Sequence, residues 1–213
     1  MPTQTLEPPT APTAPQAPTR VTRGHGFLEH TLSKLRARKA NALIPEPLRQ
    51  GRILDIGCGS FPYFLTTTRF AEKHGVDKLV NVHDAVPGVQ LRNFDTYASD
   101  RLPYESGYFD AVTMLAVFEH IRVDRLVMLI TDIHRVLKPR GVYVMTTPAG
   151  WTGPVLDALK TVGAVSKEEI DEHEDSYSPA KVRAIMQRTP FDPAKTRIGH
   201  FELGMNLWMQ AGR

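Results

Sequence analysis

The fold of this chain is decided by the stretch Arg52-Ile53-Leu54-Asp55-Ile56-Gly57-Cys58-Gly59-Ser60. It is a short apolar run, typical of a buried strand, that leads directly into a turn with two glycines. Glycines in such a turn let the backbone approach a ligand closely, because no side chain stands in the way. After Arg52, further short apolar runs alternate with helical stretches, which is the pattern of βαβ units around a parallel sheet.

The remaining elements follow from the same patterns. Apolar runs predict strands at Arg52 to Ile56, His74 to Val76, Val89 to Phe94, Ala111 to Ala116 and Gly141 to Thr147. Apolar residues on one face predict a helix from Glu119 to Leu137, which ends because Pro139 cannot continue it and Gly141 permits a turn. The C-terminal part is predicted to form a helix, Pro179 to Met186, and two strands, Thr196 to Phe201 and Asn206 to Ala211.

The N-terminal part differs in composition from the rest of the chain. Residues 1–22 are rich in Pro, Thr and Ala and predict an extended tail, whereas residues 23–213 predict a single domain. Apolar residues between Phe27 and Leu43 recur at helical spacing and indicate an amphipathic helix. Its basic residues between Lys34 and Lys39 are interpreted as a solvated face, because no aromatic residues interleave with them as in an RNA-binding patch.

Composition excludes several classes of protein. The 26 basic and 23 acidic residues give a net charge of +3, which is too small to indicate nucleic-acid binding. The single cysteine excludes an internal disulfide, and no apolar run reaches the roughly 20 residues that a membrane-spanning helix needs. Because no secretory signal is visible, we predict a cytoplasmic protein. We also predict no metal site.

The turn after the first strand distinguishes between two classes of ligand. A dinucleotide-binding fingerprint requires a third glycine where this chain has Pro62, so a nicotinamide cofactor is disfavoured. Asp55 lies directly before the glycines, where a carboxylate is badly placed beside a phosphate and well placed beside an ammonium group. The turn therefore predicts a cationic ligand such as the amino acid end of a methionine cofactor.

Four ordered segments resemble the class I S-adenosylmethionine-dependent methyltransferases. The segment from Ile53 to Gly59 is similar to the first motif of that family, and Asp77 stands 22 positions after Asp55, where the family has a carboxylate that holds both ribose hydroxyls. Residues 102–112 resemble the stretch that leads into the fourth strand, and residues 135–142 resemble the corner before the fifth. Together the matches cover roughly residues 50 to 148.

The resemblance implies a fold and a cofactor. The fold is a Rossmann-like, doubly wound α/β sheet of seven strands, mostly parallel, with the last strand antiparallel. The cofactor is S-adenosyl-L-methionine, and the residues implied to contact it are Asp55, Gly57, Cys58, Gly59, Asp77, Asp95 and Glu119. Asp100 remains an alternative to Asp95 for the adenine amino group, and Cys58 is interpreted as a small packed residue rather than a nucleophile.

Two histidines are candidates for a general base. His120 follows strand four at the edge where ligands of open α/β sheets bind, and a helix N-terminus there would keep its ring neutral. Glu119 has an alternative interpretation as a first-turn acid that complements the helix dipole. His173 lies in an acceptor-side insertion near residues 149–180 and is the second candidate, although neighbouring acids also suit a solvated residue.

Three functions remain open from the sequence. The leading prediction is O- or N-methylation of a small molecule, such as a glycan or lipid precursor, because residues 199–206 resemble the ending of methyltransferases in bacterial glycan or lipid biosynthesis. The alternatives are an RNA methyltransferase guided by the basic helix and a non-catalytic partner protein that keeps the cofactor-binding fold. Neither the acceptor nor the oligomeric state follows from these motifs.

Overall fold

A computed structural model describes residues 27–81, 86–96, 98–99, 101–150 and 177–213, with side chains from residue 31 onward. The helices of these residues are α1 (Phe27–Leu43), α2 (Tyr63–Thr67), α3 (Val123–Val136) and α4 (Pro179–Met186). The strands are β1 (Arg52–Ile56), β2 (Glu72–Asp77), β3 (Gln90–Asn93), β4 (Phe109–Leu115), β5 (Leu137–Pro148), β6 (Thr196–Phe201) and β7 (Asn206–Gly212). Short 3₁₀ turns cover Glu46–Gln50, Phe118–His120 and Pro193–Lys195.

The seven strands form one sheet in the order β3-β2-β1-β4-β5-β7-β6. Strands β1 to β5 pair in parallel, and β7 runs antiparallel to both of its neighbours, β5 and β6. The predicted α/β fold, a mostly parallel seven-stranded sheet with its last strand antiparallel, is therefore confirmed.

The strand order reverses between β1 and β4, and this reversal positions the candidate site. Chain connections leave β1 toward β2 on one side, whereas β4 lies on the other side of β1. The loops that follow β1 and β4 therefore diverge and leave a crevice at the carboxyl ends of the strands. The glycine turn after β1 and the turn Phe118–His120 after β4 both lie at this edge.

Helices cover both faces of the sheet. On one face α1 and α2 pack against β1, β4 and β5, through a buried cluster that includes Ala37, Ala40, Phe64, Leu65, Ile53, Ala111 and Val144. On the other face α3 and α4 pack through a larger cluster that includes Leu126, Ile130, Ile133, Val182, Leu54, Val112 and Tyr143. Alternating residues of each buried strand thus serve opposite faces, as a doubly wound sheet requires.

The packing face of α1 differs from the one that the sequence predicted. Its fully buried positions are Ala37 and Ala40, whereas Leu35 is only partly buried. Small side chains let the helix lie close to the sheet, so the leucines are displaced to the flanks. Two of its basic residues, Arg36 and Lys39, are also partly buried, which a fully solvated basic face would not show.

The helix after strand four begins later than predicted. The chain forms a 3₁₀ turn at Phe118–His120, continues in extended conformation, and enters α3 only at Val123. Ile121 is buried in the core, and the extended link is what directs its side chain inward. Glu119 is therefore not a first-turn acid of this helix, and His120 does not lie at its N-terminus.

The corner between α3 and β5 is tight for a different reason than predicted. Strand β5 already begins at Leu137, and the positive φ of 68° belongs to Arg140 rather than to Gly141. A Cβ atom at Gly141 would lie 2.9 Å from the carbonyl oxygen of Lys138 and 3.1 Å from that of Asp110. Gly141 is thus required by close backbone approach, and not by a left-handed conformation.

The predicted tail, residues 1–22, and His173 and Asp100 lie outside the described residues, so the domain boundaries stay predictions. Of the insertion near 149–180, the structure describes the two ends. The Gly150 amide donates a hydrogen bond of 2.7 Å to the Tyr177 carbonyl, which joins those ends at the carboxyl edge of the sheet. No helix in the described part of the chain combines the length and apolarity that crossing a membrane would demand.

Candidate active site

The glycine turn after β1 is fastened to the end of β2. The amides of Gly57 and Cys58 both donate to the Val76 carbonyl, over 2.8 and 3.4 Å, and the Gly59 amide donates to Asp77 Oδ2 over 2.9 Å. Gly57 and Gly59 have φ values of 74° and 72°, which are unfavourable for other residues. The two glycines therefore let the chain reverse while three consecutive amides point toward β2.

Asp55 presents a buried carboxyl group beneath this turn. It lies on β1 opposite Thr113 of β4, and the Thr113 hydroxyl donates a 2.6 Å hydrogen bond to Asp55 Oδ1. Only 4% of Asp55 is exposed, and this burial raises its pKa to about 7, with a smaller contribution from the negative charge of Asp77. A cation bound nearby would replace the lost solvation and favour the ionised form.

Asp77 ends β2 and lies beside the same turn. Its Oδ2 accepts from the Gly59 amide and its Oδ1 accepts from the Leu79 amide over 2.8 Å. Each carboxylate oxygen has two lone pairs, so each can accept one further hydrogen bond. A partly exposed carboxylate held in this way suits two neighbouring hydroxyl groups.

This arrangement distinguishes a nucleoside from a diphosphate. A phosphate-binding turn directs free backbone amides at the ligand, but the amides of Gly57, Cys58 and Gly59 are already used by β2. Two carboxylates, Asp55 and Asp77, flank the turn and would repel a diphosphate. Matching this geometry, the family model described as a methyltransferase domain fits residues 26–195 of the 213-residue chain. The chain belongs to the methyltransferase domain family.

Solved structures of methyltransferases share the fold of this methyltransferase. An S-adenosylmethionine-dependent methyltransferase from Archaeoglobus fulgidus has a TM-score of 0.60 and 16% identity, over 87% of this chain and 94% of that one. One from Thermotoga maritima has a TM-score of 0.64 and 17% identity, over 87% of this chain and 91% of that one. One from Mesorhizobium loti has a TM-score of 0.57 and 17% identity, over 85% of this chain and 100% of that one. A search of curated proteins found no match.

Family and fold together confirm the predicted class I methyltransferase with S-adenosylmethionine as its cofactor. The described residues fit this group, since a buried carboxyl at Asp55 suits its positive charge and the free lone pairs of Asp77 suit its ribose. Asp95 is half-buried just beyond β3, and Asp77 and Asn93 are paired in the adjoining strands. The sequence-predicted contacts Asp55, Gly57, Cys58, Gly59, Asp77 and Asp95 therefore lie at one edge of the sheet; their individual roles stay predictions.

The side chain of Cys58 is packed inside the methyltransferase. It is 3% exposed, and a Cβ atom at Gly75 would lie 2.8 Å from its sulfur. Burial raises the pKa of the Cys58 thiol well above its usual range, and the charges of Asp55 and Asp77 add to the effect. The sulfur is thus a packed group, and only the backbone of Cys58 is available to a ligand.

Position 57 requires glycine for two reasons, its positive φ angle and the lack of space for a side chain. A Cβ atom there would lie 2.2 Å from Cγ2 of Val117, the residue that follows the β4 exit. We expect Gly57→Ala to lower the free energy of unfolding by roughly 2–4 kcal/mol, from left-handed strain and overpacking combined. The measurement is urea unfolding of both proteins.

A double-mutant cycle separates the two causes. Val117→Ala removes the clashing methyl groups, so the Gly57→Ala penalty should shrink to the left-handed strain of about 1–2 kcal/mol in that background. An identical penalty in both backgrounds would contradict the proposed contact between Gly57 and Val117.

Glu119 and His120 occupy the 3₁₀ turn after β4. Glu119 is only 3% exposed, and its Oε2 accepts a 3.1 Å hydrogen bond from the Thr147 hydroxyl at the end of β5. His120 is half-buried, and its amide donates to the Val117 carbonyl over 3.1 Å. The structure thus places both residues at the carboxyl edge with Asp55, although the sequence-based argument from a helix dipole does not apply to them.

Sequence reasoning missed two threonines of this site. Thr113 holds the Asp55 carboxyl and Thr147 holds the Glu119 carboxylate. Both are fully buried within apolar strands, where a hydroxyl requires a hydrogen-bond partner. A threonine within an apolar strand therefore indicates a buried hydrogen bond from the sequence alone. Its partner becomes evident only once the strand order is known.

Proposed function

We propose that this methyltransferase methylates an oxygen or nitrogen atom of a small molecule at the edge formed by the exits of β1, β2 and β4. The observation that carries the proposal is the position of His120. It is the half-buried imidazole beside the buried Glu119, at the edge to which Asp55 also belongs. An acceptor atom in that crevice would meet a group that can take up its proton.

The division of work among the residues follows from their chemistry. Bound S-adenosylmethionine supplies a methyl group on a positively charged sulfur, which makes that carbon electrophilic. Asp55 would bind the ammonium of the amino acid end, and Asp77 would bind the ribose hydroxyls. Gly57, Cys58 and Gly59 would contact the cofactor through backbone alone. Accurate alignment in a water-poor crevice then supplies most of the rate enhancement.

Glu119 would serve as a positioning and binding residue at the exit of β4. Its carboxylate is buried and has the Thr147 hydroxyl as a hydrogen-bond donor. A buried carboxylate with one neutral donor retains capacity for a further donor or cation. We propose that this capacity serves the methionine part of the cofactor, with Asp95 on the adenine amino group.

His120 is the proposed general base, and His173, outside the described residues, is the second candidate. We expect His120→Ala to lower kcat by about 10²- to 10⁴-fold for a hydroxyl acceptor, while the Kd of S-adenosylmethionine changes less than about threefold. The check combines steady-state kinetics with calorimetric titration of the cofactor. His134→Ala is the matched control, because His134 lies on α3 against Phe191; normal turnover of His120→Ala would contradict the base role.

An RNA acceptor is the weaker alternative. Of the basic residues on α1, Lys39 places its Nζ over the Trp208 ring, 4.5 Å from the centroid, and Arg36 is partly buried. Lys34 and Arg38 remain exposed. Two exposed cations supply few of the phosphate contacts on which nucleic-acid affinity depends.

One screen tests the three functions against each other. The purified chain is incubated with isotopically labelled S-adenosylmethionine and either a metabolite extract or total RNA, and mass spectrometry detects products that gain one labelled methyl group. We expect labelled small molecules and unlabelled RNA. Labelled RNA with salt-dependent binding would favour the RNA enzyme, and cofactor binding without any labelled product would favour the non-catalytic protein.

The structural neighbour from Thermotoga maritima is described as a possible histamine N-methyltransferase. Histamine is a small amine, and the likeness at 17% identity concerns the fold. The metabolite arm of the screen should therefore contain amines as well as hydroxylated compounds.

A further inference from the structure

Two polar side chains at the turn between β6 and β7 have buried oxygen atoms that no described group satisfies. Asn206 is only 6% exposed, and its Nδ2 donates a hydrogen bond to Oε2 of Glu202. Asn206 Oδ1 and Glu202 Oε1 are both buried and have no hydrogen-bond partner among the described residues. Because a carboxylate can only accept, the amide orientation is fixed, and both remaining atoms are acceptors.

A third polar group belongs to this cluster, which we call the Glu202 cluster (Arg36, Glu202 and Asn206). The Nε of Arg36 is also buried without a described acceptor. Burial raises the pKa of Glu202, and the positive charge of Arg36 opposes that rise, so the two side chains interact electrostatically. The cluster thus holds two unsatisfied acceptors and one unsatisfied donor.

The register of α1 on β7 explains why Arg36 reaches this place. The Leu43 carbonyl accepts a 2.7 Å hydrogen bond from Gln210, and Lys39 lies over Trp208. One turn further toward the helix N-terminus is Arg36, and two residues nearer the start of β7 is Asn206. Helix and strand therefore run side by side until both reach the carboxyl edge of the sheet.

The Glu202 cluster lies within reach of the proposed methyl-transfer site. Asn206 is paired with Pro148 at the carboxyl end of β5, and β5 is the direct neighbour of β4. Two strand spacings, about 10 Å, separate β7 from the β4 exit where Glu119 and His120 lie. An acceptor of modest size can bridge this distance.

The backbone of the turn is strained in the conformation that presents these groups. Glu202 and Leu203 have φ values of 52° and 55°, and the Leu203 side chain is 97% exposed. Left-handed conformations in two consecutive non-glycine residues cost energy, as do buried polar atoms without partners. The hairpin connection between β6 and β7 accounts for the left-handed backbone, whereas the buried polar atoms without described partners are groups that a ligand would satisfy.

The combination of free groups discriminates between kinds of ligand. A hydroxyl group can donate to Glu202 Oε1 or Asn206 Oδ1 and at the same time accept from Arg36 Nε. An ammonium group can only donate and would leave Arg36 Nε without an acceptor, whereas a carboxylate can only accept and would leave Glu202 Oε1 and Asn206 Oδ1 without a donor. Neighbouring hydroxyl groups satisfy all three atoms.

We propose that the Glu202 cluster binds neighbouring hydroxyl groups of a sugar-like, polyhydroxylated methyl acceptor. The inference rests on the proposed function, since the bound molecule is taken to be the acceptor. It adds the chemical class of that acceptor and three residues that select it.

Ligand binding is tested on the full chain by saturation-transfer NMR with excess S-adenosylhomocysteine. The probes are methyl α-D-glucopyranoside, a neutral polyol, and n-butylamine, a cation without hydroxyl groups. We expect a glucoside signal for the wild type that falls about fivefold or more in Glu202→Ala and in Asn206→Ala. Glu105→Ala, which removes an exposed glutamate elsewhere, should leave the signal unchanged.

Thermal unfolding distinguishes a binding role from a structural one. Glu202→Gln keeps the shape of the side chain and its bond to Asn206, but it places an amide where the orphaned oxygen is. If the cluster serves a ligand, Tm without the ligand should stay constant or rise in this variant, because a poorly satisfied buried charge is removed. A structural role would instead lower Tm.

Three results would overturn the inference: no glucoside signal with the wild type, an equal signal in all variants, or a butylamine signal that depends on Glu202. Each can be told apart from failure of the proposed function. If the metabolite screen yields methylated small molecules but the glucoside signal is the same with and without the Glu202 side chain, the proposed function is supported and the proposed acceptor class is wrong. If only RNA is labelled, the function itself is wrong.

Discussion

Replacing Asp55 by Asn is expected to weaken binding of S-adenosylmethionine about 10- to 100-fold at pH 8. The variant keeps the shape of the side chain and removes its charge, so it loses a charge-assisted interaction with the ammonium group inside a buried site. Isothermal titration calorimetry of both proteins measures the change. An unchanged Kd would contradict the role of Asp55 in the cofactor site.

The pH dependence of binding provides a sharper test. In the free protein, burial raises the pKa of Asp55 to about 7, so the carboxyl group is largely protonated below that pH. A cationic ligand requires the ionised form, and the proton must leave on binding. Affinity should therefore rise as the pH increases from 6 toward 7 and level off above it. The Asp55→Asn variant (D55N) should lack this rise.

The free energy of unfolding of the cofactor-free protein should fall as the pH rises, whereas the affinity for the cofactor should increase. The pKa of Asp55 is about 7 in the folded chain, against an ordinary value of 3.8 for this side chain, so the folded state binds the proton more tightly. The free energy of unfolding due to this group consequently falls as the pH rises from about 4 to 7, and it stays low above. D55N escapes this loss, and its Tm without cofactor should exceed that of the wild type at pH 8 but not at pH 4.

Two controls identify the partner and the mechanism. 5′-Methylthioadenosine lacks the amino acid end, so its affinity should be the same in D55N and the wild type. Thr113→Val removes the hydroxyl that favours the ionised carboxyl, so the pH midpoint of cofactor binding should move upward. A midpoint that does not move would mean that another group titrates.

The part of the site that binds the methyl donor could be predicted from the sequence because its residues are close together in the chain. Asp55, Gly57 and Gly59 lie within five residues, and backbone conformation alone explains why two glycines are needed there. Asp77 is predictable in a similar way, since the end of one parallel strand lies beside the end of the next. The seven-stranded sheet with its antiparallel last strand followed from the family resemblance.

Features that depend on distant contacts could not be predicted. The late start of α3 depends on burial of Ile121 in the core, and the alanine face of α1 depends on how close the helix lies to the sheet. The hydrogen bonds of Thr113 with Asp55 and of Gln210 with the Leu43 carbonyl join residues 58 and 167 positions apart. No periodicity in the sequence marks such pairs, because each is set by strand order and helix register.

Replacing Asp77 by Ala should weaken cofactor binding at least as much as the Asp55 substitution, for two reasons. The variant loses the proposed acceptor of both ribose hydroxyls, and it also releases the amides of Gly59 and Leu79 that hold the turn. We expect the Kd of S-adenosylmethionine to rise about 100-fold or more, because hydrogen bonds to a charged carboxylate disappear on both the ligand side and the turn side. Asp124→Ala, which removes an exposed aspartate from the start of α3, is the control and should bind normally.

Measuring two nucleosides on both the wild type and the Asp77→Ala variant forms a thermodynamic cycle. This cycle separates direct binding of the ribose by Asp77 from loosening of the turn. Adenosine and 2′-deoxyadenosine differ by one hydroxyl group, so the wild type should prefer adenosine by about fivefold to tenfold if Asp77 accepts from that hydroxyl. Asp77→Ala should bind both nucleosides equally weakly. If the variant kept the full preference, Asp77 would act only by fastening Gly59, and the ribose hydroxyls would have another partner. Equal binding of both nucleosides by the wild type would exclude the hydrogen bond between Asp77 and the ribose altogether.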